Sequence, residues 1–152
     1  MFRTLLAILC LASTCLAQQL DVEKMFEERN LGPVAELLAK GDYELVARIG
    51  EAAAERGLKA AEWRIMRFRA LAELGQVESA LAEATEGLKT YPDNLELLML
   101  RHDLAAQQGL DEVKKDSLTR LNAAAKAKAP KDRTALDLVS LGRAALVLGA
   151  DA

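Results

Sequence analysis

Arg67 and Arg101 are the side chains best suited, by type and spacing, to act on a partner. They are separated by 34 positions along the chain, and Arg64 and Arg69 flank the first of them. A guanidinium is planar, permanently charged and able to grip a carboxylate through two parallel N–H bonds, so this set suits an acidic partner segment. It suits equally well a set of ion pairs within the fold, with Glu62, Glu73 or Glu96 as the acids. Other chemistry is sparse. His102 is the only histidine and has no cysteine or carboxylate cluster beside it, which fits a packed or solvated ring better than a catalytic base. The chain has no His-Glu-x-x-His pair, no nucleophile elbow and no phosphate-binding loop. The acid pairs Glu27-Glu28 and Asp111-Glu112 fall at helix starts, where acids complement the helix dipole. No catalytic, cofactor-binding or metal-binding role is therefore expected of these residues, and the chain is not expected to be an enzyme within them.

The elements that must position the arginines are helices of a fixed period. Gly41, Gly75 and Gly109 recur at the same spacing as the two arginines. A unit of that length fits one helix-turn-helix of a stacked array. The best-formed unit is 61–94. Trp63, Met66, Phe68, Ala70, Leu71 and Leu74 give its first helix a buried side, and Gly75 stops that helix. Val77, Ala80, Leu81, Ala84 and Leu88 follow at helical spacing, and Pro92 ends the second helix before Asp93-Asn94 can cap the next. The preceding unit opens at Pro33 and turns at Gly41-Asp42-Tyr43. The following one runs through Leu97, Leu98, Leu100 and Leu104 to Gly109, and its second helix reads long, to about Ala129. Pro130-Lys131-Asp132 breaks that helix. The next turn glycine, Gly149, stands farther from Gly109 than the period allows, which marks an insertion near 126–131. A fourth first helix carries Leu136, Val139, Leu141, Ala145 and Leu148. With no second helix to cover it, this array is expected to be incomplete at its C-terminal end; the alternatives are that the helix itself caps the array or that it pairs with another molecule through 133–152.

Ahead of the array, residues 1–17 have the layout of a secretory signal peptide. Arg3 supplies the positive start, Leu5 to Leu16 the apolar core, and Ala17 a small residue at the cleavage point. An apolar core this short falls below the roughly 20 residues that a spanning helix needs. Cys15 follows Ala12-Ser13-Thr14, a poor match to the pattern for lipid attachment, so an anchor through Cys15 is not expected. Residues 18–32 form an amphipathic lead-in, with Leu20, Val22, Met25 and Phe26 apolar, suited to cap the open end of a stack. Both cysteines, Cys10 and Cys15, lie within the signal, so the remainder has neither disulfide nor thiol chemistry. Without Arg3, 19 basic residues face 23 acidic ones, a poor balance for holding nucleic acid. Hydrophobic residues make up 51% of the chain but aromatics only 4%, with alanine and leucine dominant, which favours an all-α fold.

Residues 61–94 resemble a tetratricopeptide repeat. Ala70 and Ala80 match the family's small tenth and twentieth positions, Leu71 its apolar eleventh, Gly75 its turn and Pro92 its close. Gly41-Asp42-Tyr43 fits the family's Gly-Asp-Tyr turn. The unit departs from the pattern at its fourth and seventh places, where Arg64 and Arg67 stand for an aromatic and a leucine, and Trp63 sits one place early. Ala84 and Gly87 occupy the twenty-fourth and twenty-seventh places, and Lys114 replaces the small twentieth residue in the next unit. The resemblance covers about 33–152 and implies a right-handed α-solenoid of antiparallel helix pairs, about three and a half repeats long. It also implies a concave groove lined by first helices. The groove positions carry Glu62, Ile65, Arg69, Ala72 and Glu73 in one unit and Glu96, Met99, Asp103, Ala106 and Gln107 in the next. The lysine and asparagine that grip a terminal carboxylate in some members are absent from them.

The expected function is that of an exported, periplasmic or secreted non-catalytic scaffold that binds a protein or peptide, with no nucleic-acid partner and no membrane contact after signal cleavage. Two alternatives stay open. The residues can be the N-terminal docking region of a longer exported enzyme such as a hydrolase, with its catalysis beyond residue 152, or an array that self-associates.

Overall fold

The computed structural model describes Phe26 and residues 30–58, 60–127 and 130–150. These residues form seven α-helices and no strand: α1 (Gly32–Lys40), α2 (Tyr43–Glu55), α3 (Ala61–Glu73), α4 (Val77–Thr90), α5 (Leu95–Gln107), α6 (Asp111–Ala127) and α7 (Ala135–Ala150). A single 3-10 turn, Pro130–Asp132, precedes α7 at the expected insertion. The expected signal peptide and most of the lead-in lie outside the described residues.

The glycine period has a physical cause at the turns. Gly41, Gly75 and Gly109 take φ of 87°, 71° and 68°, the left-handed region that suits a residue without a β-carbon. At each of them the glycine N–H and the next N–H bond back to the last turn of the helix. Gly75 N donates to Ala72 O at 3.0 Å and Gln76 N to Leu71 O at 2.9 Å, and the same pair of bonds recurs at Gly41 and Gly109. This closure satisfies the orphan carbonyls of α1, α3 and α5 and reverses the chain. α2 closes in the same way at Gly57, with φ of 67° and Gly57 N and Leu58 N donating to Ala54 O and Ala53 O, whereas α4 ends at Tyr91, whose N–H donates to Gly87 O. α5 opens at Asn94, whose side chain accepts from Leu97 N at 2.9 Å. α7 opens with a reciprocal cap, in which Thr134 N donates to Asp137 Oδ2 and Asp137 N to Thr134 Oγ1.

Each helix packs on the next, giving a helical, repeat-like arrangement. In addition α1 touches α3, α3 touches α5 and α5 touches α7, whereas α2, α4 and α6 make no comparable contact with one another. The first helices are thus gathered on one side. Three apolar clusters hold the seams. Phe26, Val34, Val46, Ile49, Ala53 and Trp63 join the lead-in to α1–α3, with the Phe26 ring edge-on to Trp63 at 5.3 Å and Arg56 over its face. Phe68, Leu71, Ala80, Ala84 and Leu104 join α3, α4 and α5. Leu88, Leu97, Leu98, Met99, Leu121 and Ala144 join α4 to α7. Trp63 is therefore core, as is His102, which is buried with its Nδ1 3.2 Å from Asp103 Oδ1.

The departures at Arg64 and Arg67 have a common explanation in Glu83. That carboxylate is 7% exposed on α4 and receives Arg64 Nη1 at 2.8 Å and Arg67 Nη1 at 3.0 Å; Arg67 Nη2 also reaches Glu51 at 3.2 Å. Two glycines make room for the arginine stems. A β-carbon on Gly87 would lie 3.2 Å from Arg64 Cδ, and one on Gly50 would lie 2.6 Å from Arg67 Cβ. Gly50→Ala should consequently destabilise the fold. Alanine gains about 1 kcal/mol of helix propensity, but the clash is with a β-carbon that cannot rotate away, and overpacking of this kind costs about 1–3 kcal/mol. A net loss of about 1 kcal/mol or more is expected in urea titration. Arg67→Ala should not rescue it, because that variant keeps the offending atom. Rescue would show that the glycine makes room for the arginine stem alone.

Candidate functional site

A cleft of about 340 Å³ runs between α3 and α5 and is closed at one side by α7; Arg69, Ala72, Glu73, Asp103, Gln107 and Arg143 line it, over a floor of Phe68, Leu100 and Leu104. The gathered first helices bring these residues together. A helix presents residues three and four apart on one face, so Arg69, Ala72 and Glu73 fall beside Asp103 and Gln107 when α3 and α5 pack. A smaller space of about 50 Å³ adjoins it, lined by Arg69, Glu96, Met99, Leu100, Leu136, Val139, Ser140 and Arg143.

Of the groove positions implied by the repeat pattern, Arg69, Glu73, Asp103 and Gln107 meet at this cleft. Glu62 lies on the same helix, exposed. Ile65 and Met99 do not present themselves: they are 5% and 2% exposed, packed in the cluster with Leu98 and Ala144. Met99 also borders the smaller space, where α7 covers it. Arg67 and Arg101 point elsewhere. Arg67 is held by Glu83 and Glu51, and Arg101 by Asp116 and Ser117, all on second helices. The Nε atoms of both are buried without a hydrogen-bond partner among the described residues. With both terminal nitrogens of Arg67 and Nη1 of Arg101 engaged by acids and a hydroxyl of second helices, neither arginine lines the cleft.

The charges that do border the cleft are largely paired across helices. Arg69 Nη2 donates to Glu96 Oε1 at 2.6 Å, and Arg143 pairs with Asp103. Glu62 and Glu73 have no ion pair among the described residues. Burial pushes the Glu96 carboxyl above its ordinary pKa; Arg69 pulls it back, while Glu62 and Asp137 push it further up. A carboxyl raised in the folded state holds a proton that the unfolded chain has already lost, so stability falls as pH rises from the ordinary carboxylate value through the raised one. Glu96→Gln should remove that fall. In urea titrations across this window, the stability of the wild type relative to the variant should decline with rising pH; a constant difference would contradict it.

Two features were not anticipated from the sequence. Glu83 had a signal, for it lies at helical spacing among the inner residues Ala80, Ala84, Gly87 and Leu88, an acid on an apolar face. Arg143 had another: it stands at the same offset before Gly149 as Arg69 before Gly75 and Asp103 before Gly109.

Among the described residues no group of histidine, cysteine or acidic side chains is arranged to hold a metal ion, and no helix is long and apolar enough to cross a membrane. No family model, no curated protein and no solved structure matches the chain.

Proposed function

We propose that the chain is an exported scaffold of the tetratricopeptide type, a right-handed α-solenoid whose first helices form a concave groove for a segment of another protein. One observation carries this reading. Residues at the same offset from successive turn glycines, Arg69 with Asp103 and Glu73 with Gln107, converge on one cleft although a full period of sequence separates them. The contacts among α1, α3, α5 and α7, without their counterpart among the second helices, support a concave side on the first helices. The groove is held by interlocked helices and cross-helix ion pairs, so a segment would bind a surface already ordered, with little entropy lost by the scaffold.

The reading is tested by placing a photo-reactive amino acid at Gln107, in the cleft, or at Lys89, on α4, in the producing cell. Both positions are exposed. Gln107 should yield a defined cross-linked protein that Lys89 does not. Equal labelling from both positions would remove the groove from the proposal. Fractionation of the same cells tests export, and retention of the unprocessed chain in the cytoplasm would contradict it.

A further inference from the structure

The described residues expose five large apolar side chains, and four of them lie on α7. Three of the four share one strip. Leu136, Val139 and Leu146 fall within about a quarter-turn of the helix surface, with Arg143 among them. They are 56%, 58% and 77% exposed. The strip adjoins the buried Ser140, and Leu136, Val139 and Arg143 line the same small space as Arg69 and Glu96. It therefore faces the cleft and extends it. The sequence register agrees, although Gly149 lies within α7 and does not make the turn expected of it: counted back from Gly149, Leu136, Val139 and Leu146 stand where Glu96, Met99 and Ala106 stand before Gly109. The cleft thus changes character along its length. On α3 it offers Glu73, which has no ion pair among the described residues, with Glu62 exposed on the same helix, and on α7 it offers apolar side chains with their one arginine already bound to Asp103.

We infer that the cleft takes an extended peptide segment carrying lysine or arginine at one end and large apolar side chains at the other. This rests on reading the cleft as a segment-binding groove, and it names the chemistry of the segment. Charge complementarity selects the basic end, since among the described residues Glu73 and the neighbouring Glu62 have no ion-pair partner, whereas Arg69 and Arg143 are neutralised by Glu96 and Asp103. Burial of exposed leucine and valine selects the apolar end, at about 25 cal/mol per Å² covered. Packed helices lie about 8–10 Å apart, so α3 and α7 are separated by about 20 Å, which an extended chain spans in about six residues.

Panning a random decapeptide phage library on the purified chain tests this. The enriched peptides should combine lysine or arginine with leucine, isoleucine or phenylalanine about six residues away. A fluorescein-labelled synthetic copy should then lose about tenfold or more in affinity for Glu73→Lys and for Leu146→Ser. Both positions are exposed, so the variants keep the fold, which circular dichroism verifies. Enrichment of acidic or purely polar peptides that still cross-link at Gln107 would overturn the ligand class and leave the groove. Peptides whose binding ignores both substitutions and that do not cross-link there would overturn both. A chain that sediments as a dimer and returns to monomer with Leu146→Ser would assign the apolar strip to a second copy, and would overturn the inference in favour of self-association.

Discussion

Glu83→Ala should be among the most destabilising single changes in the described chain, with a loss of about 3 kcal/mol. The carboxylate is nearly buried and serves two guanidinium groups, Arg64 and Arg67, whose side chains are 27% and 22% exposed. Its removal leaves two partly desolvated cations, one turn apart on α3, against α4 without their shared acid. Breaking a buried pair by deleting one partner costs about 3–5 kcal/mol. The residual solvent contact of the arginines and the surviving Arg67–Glu51 bond place this case at the lower end. For a chain of this size the melting temperature should fall by about 10 °C. The companion variant is the more informative. Replacing Arg64, Arg67 and Glu83 together by leucine removes the charges with their desolvation cost, and buried triads exchanged for apolar residues are often neutral or more stable. The triple variant should regain most of the loss. A triple variant as unstable as Glu83→Ala would show that these positions depend on the arginine shapes rather than on the charge balance.

Leu98→Ala should cost about 3–5 kcal/mol, the range for a fully enclosed leucine whose surroundings cannot collapse. Leu98 has no exposed surface and lies in the cluster where Leu88, Leu121 and Ala144 bring α4, α6 and α7 onto α5. Because α7 rests more on α5 than on α6, the void would loosen the main seam that holds α7 beside the cleft. Thermal melting by circular dichroism should show the loss, and native-state hydrogen exchange should show α7 opening before α2 and α3. Leu146→Ala, on the exposed side of the same helix, should change stability by less than about 0.5 kcal/mol. Comparable losses for Leu98 and Leu146 would mean that the strip on α7 is buried in the folded protein and unavailable to a ligand.

The helix order was legible because it is written in local chemistry. Glycine at a constant spacing forces left-handed turns, and Ala, Leu and Val at helical intervals fix which side is buried. The all-α expectation follows from these, and the break at Pro130 from a proline that cannot continue a helix. Less legible was what the arginines do. On a helix surface Arg64 and Arg67 look like solvated cations, and their acid lies 16 to 19 residues away on the next helix, a distance that no helical period relates. Only packing of α3 on α4 brings Glu83 beneath them. Arg69 is the counter-example, since its partner Glu96 was among the acids the sequence offered. The cleft was partly legible. Arg69, Glu73, Asp103 and Gln107 follow from register, but the burial of Met99 depends on how closely α7 approaches α5, which the insertion before it leaves open.

The most direct test of the groove is backbone NMR on the labelled chain, titrated with the segment that cross-links at Gln107. Amides of residues 62–73, 96–107 and 136–147 should shift together and saturate at one affinity, while those of α2, α4 and α6 stay in place. Shifts confined to α2, α4 and α6, or spread evenly over the chain, would contradict a binding surface on the first helices.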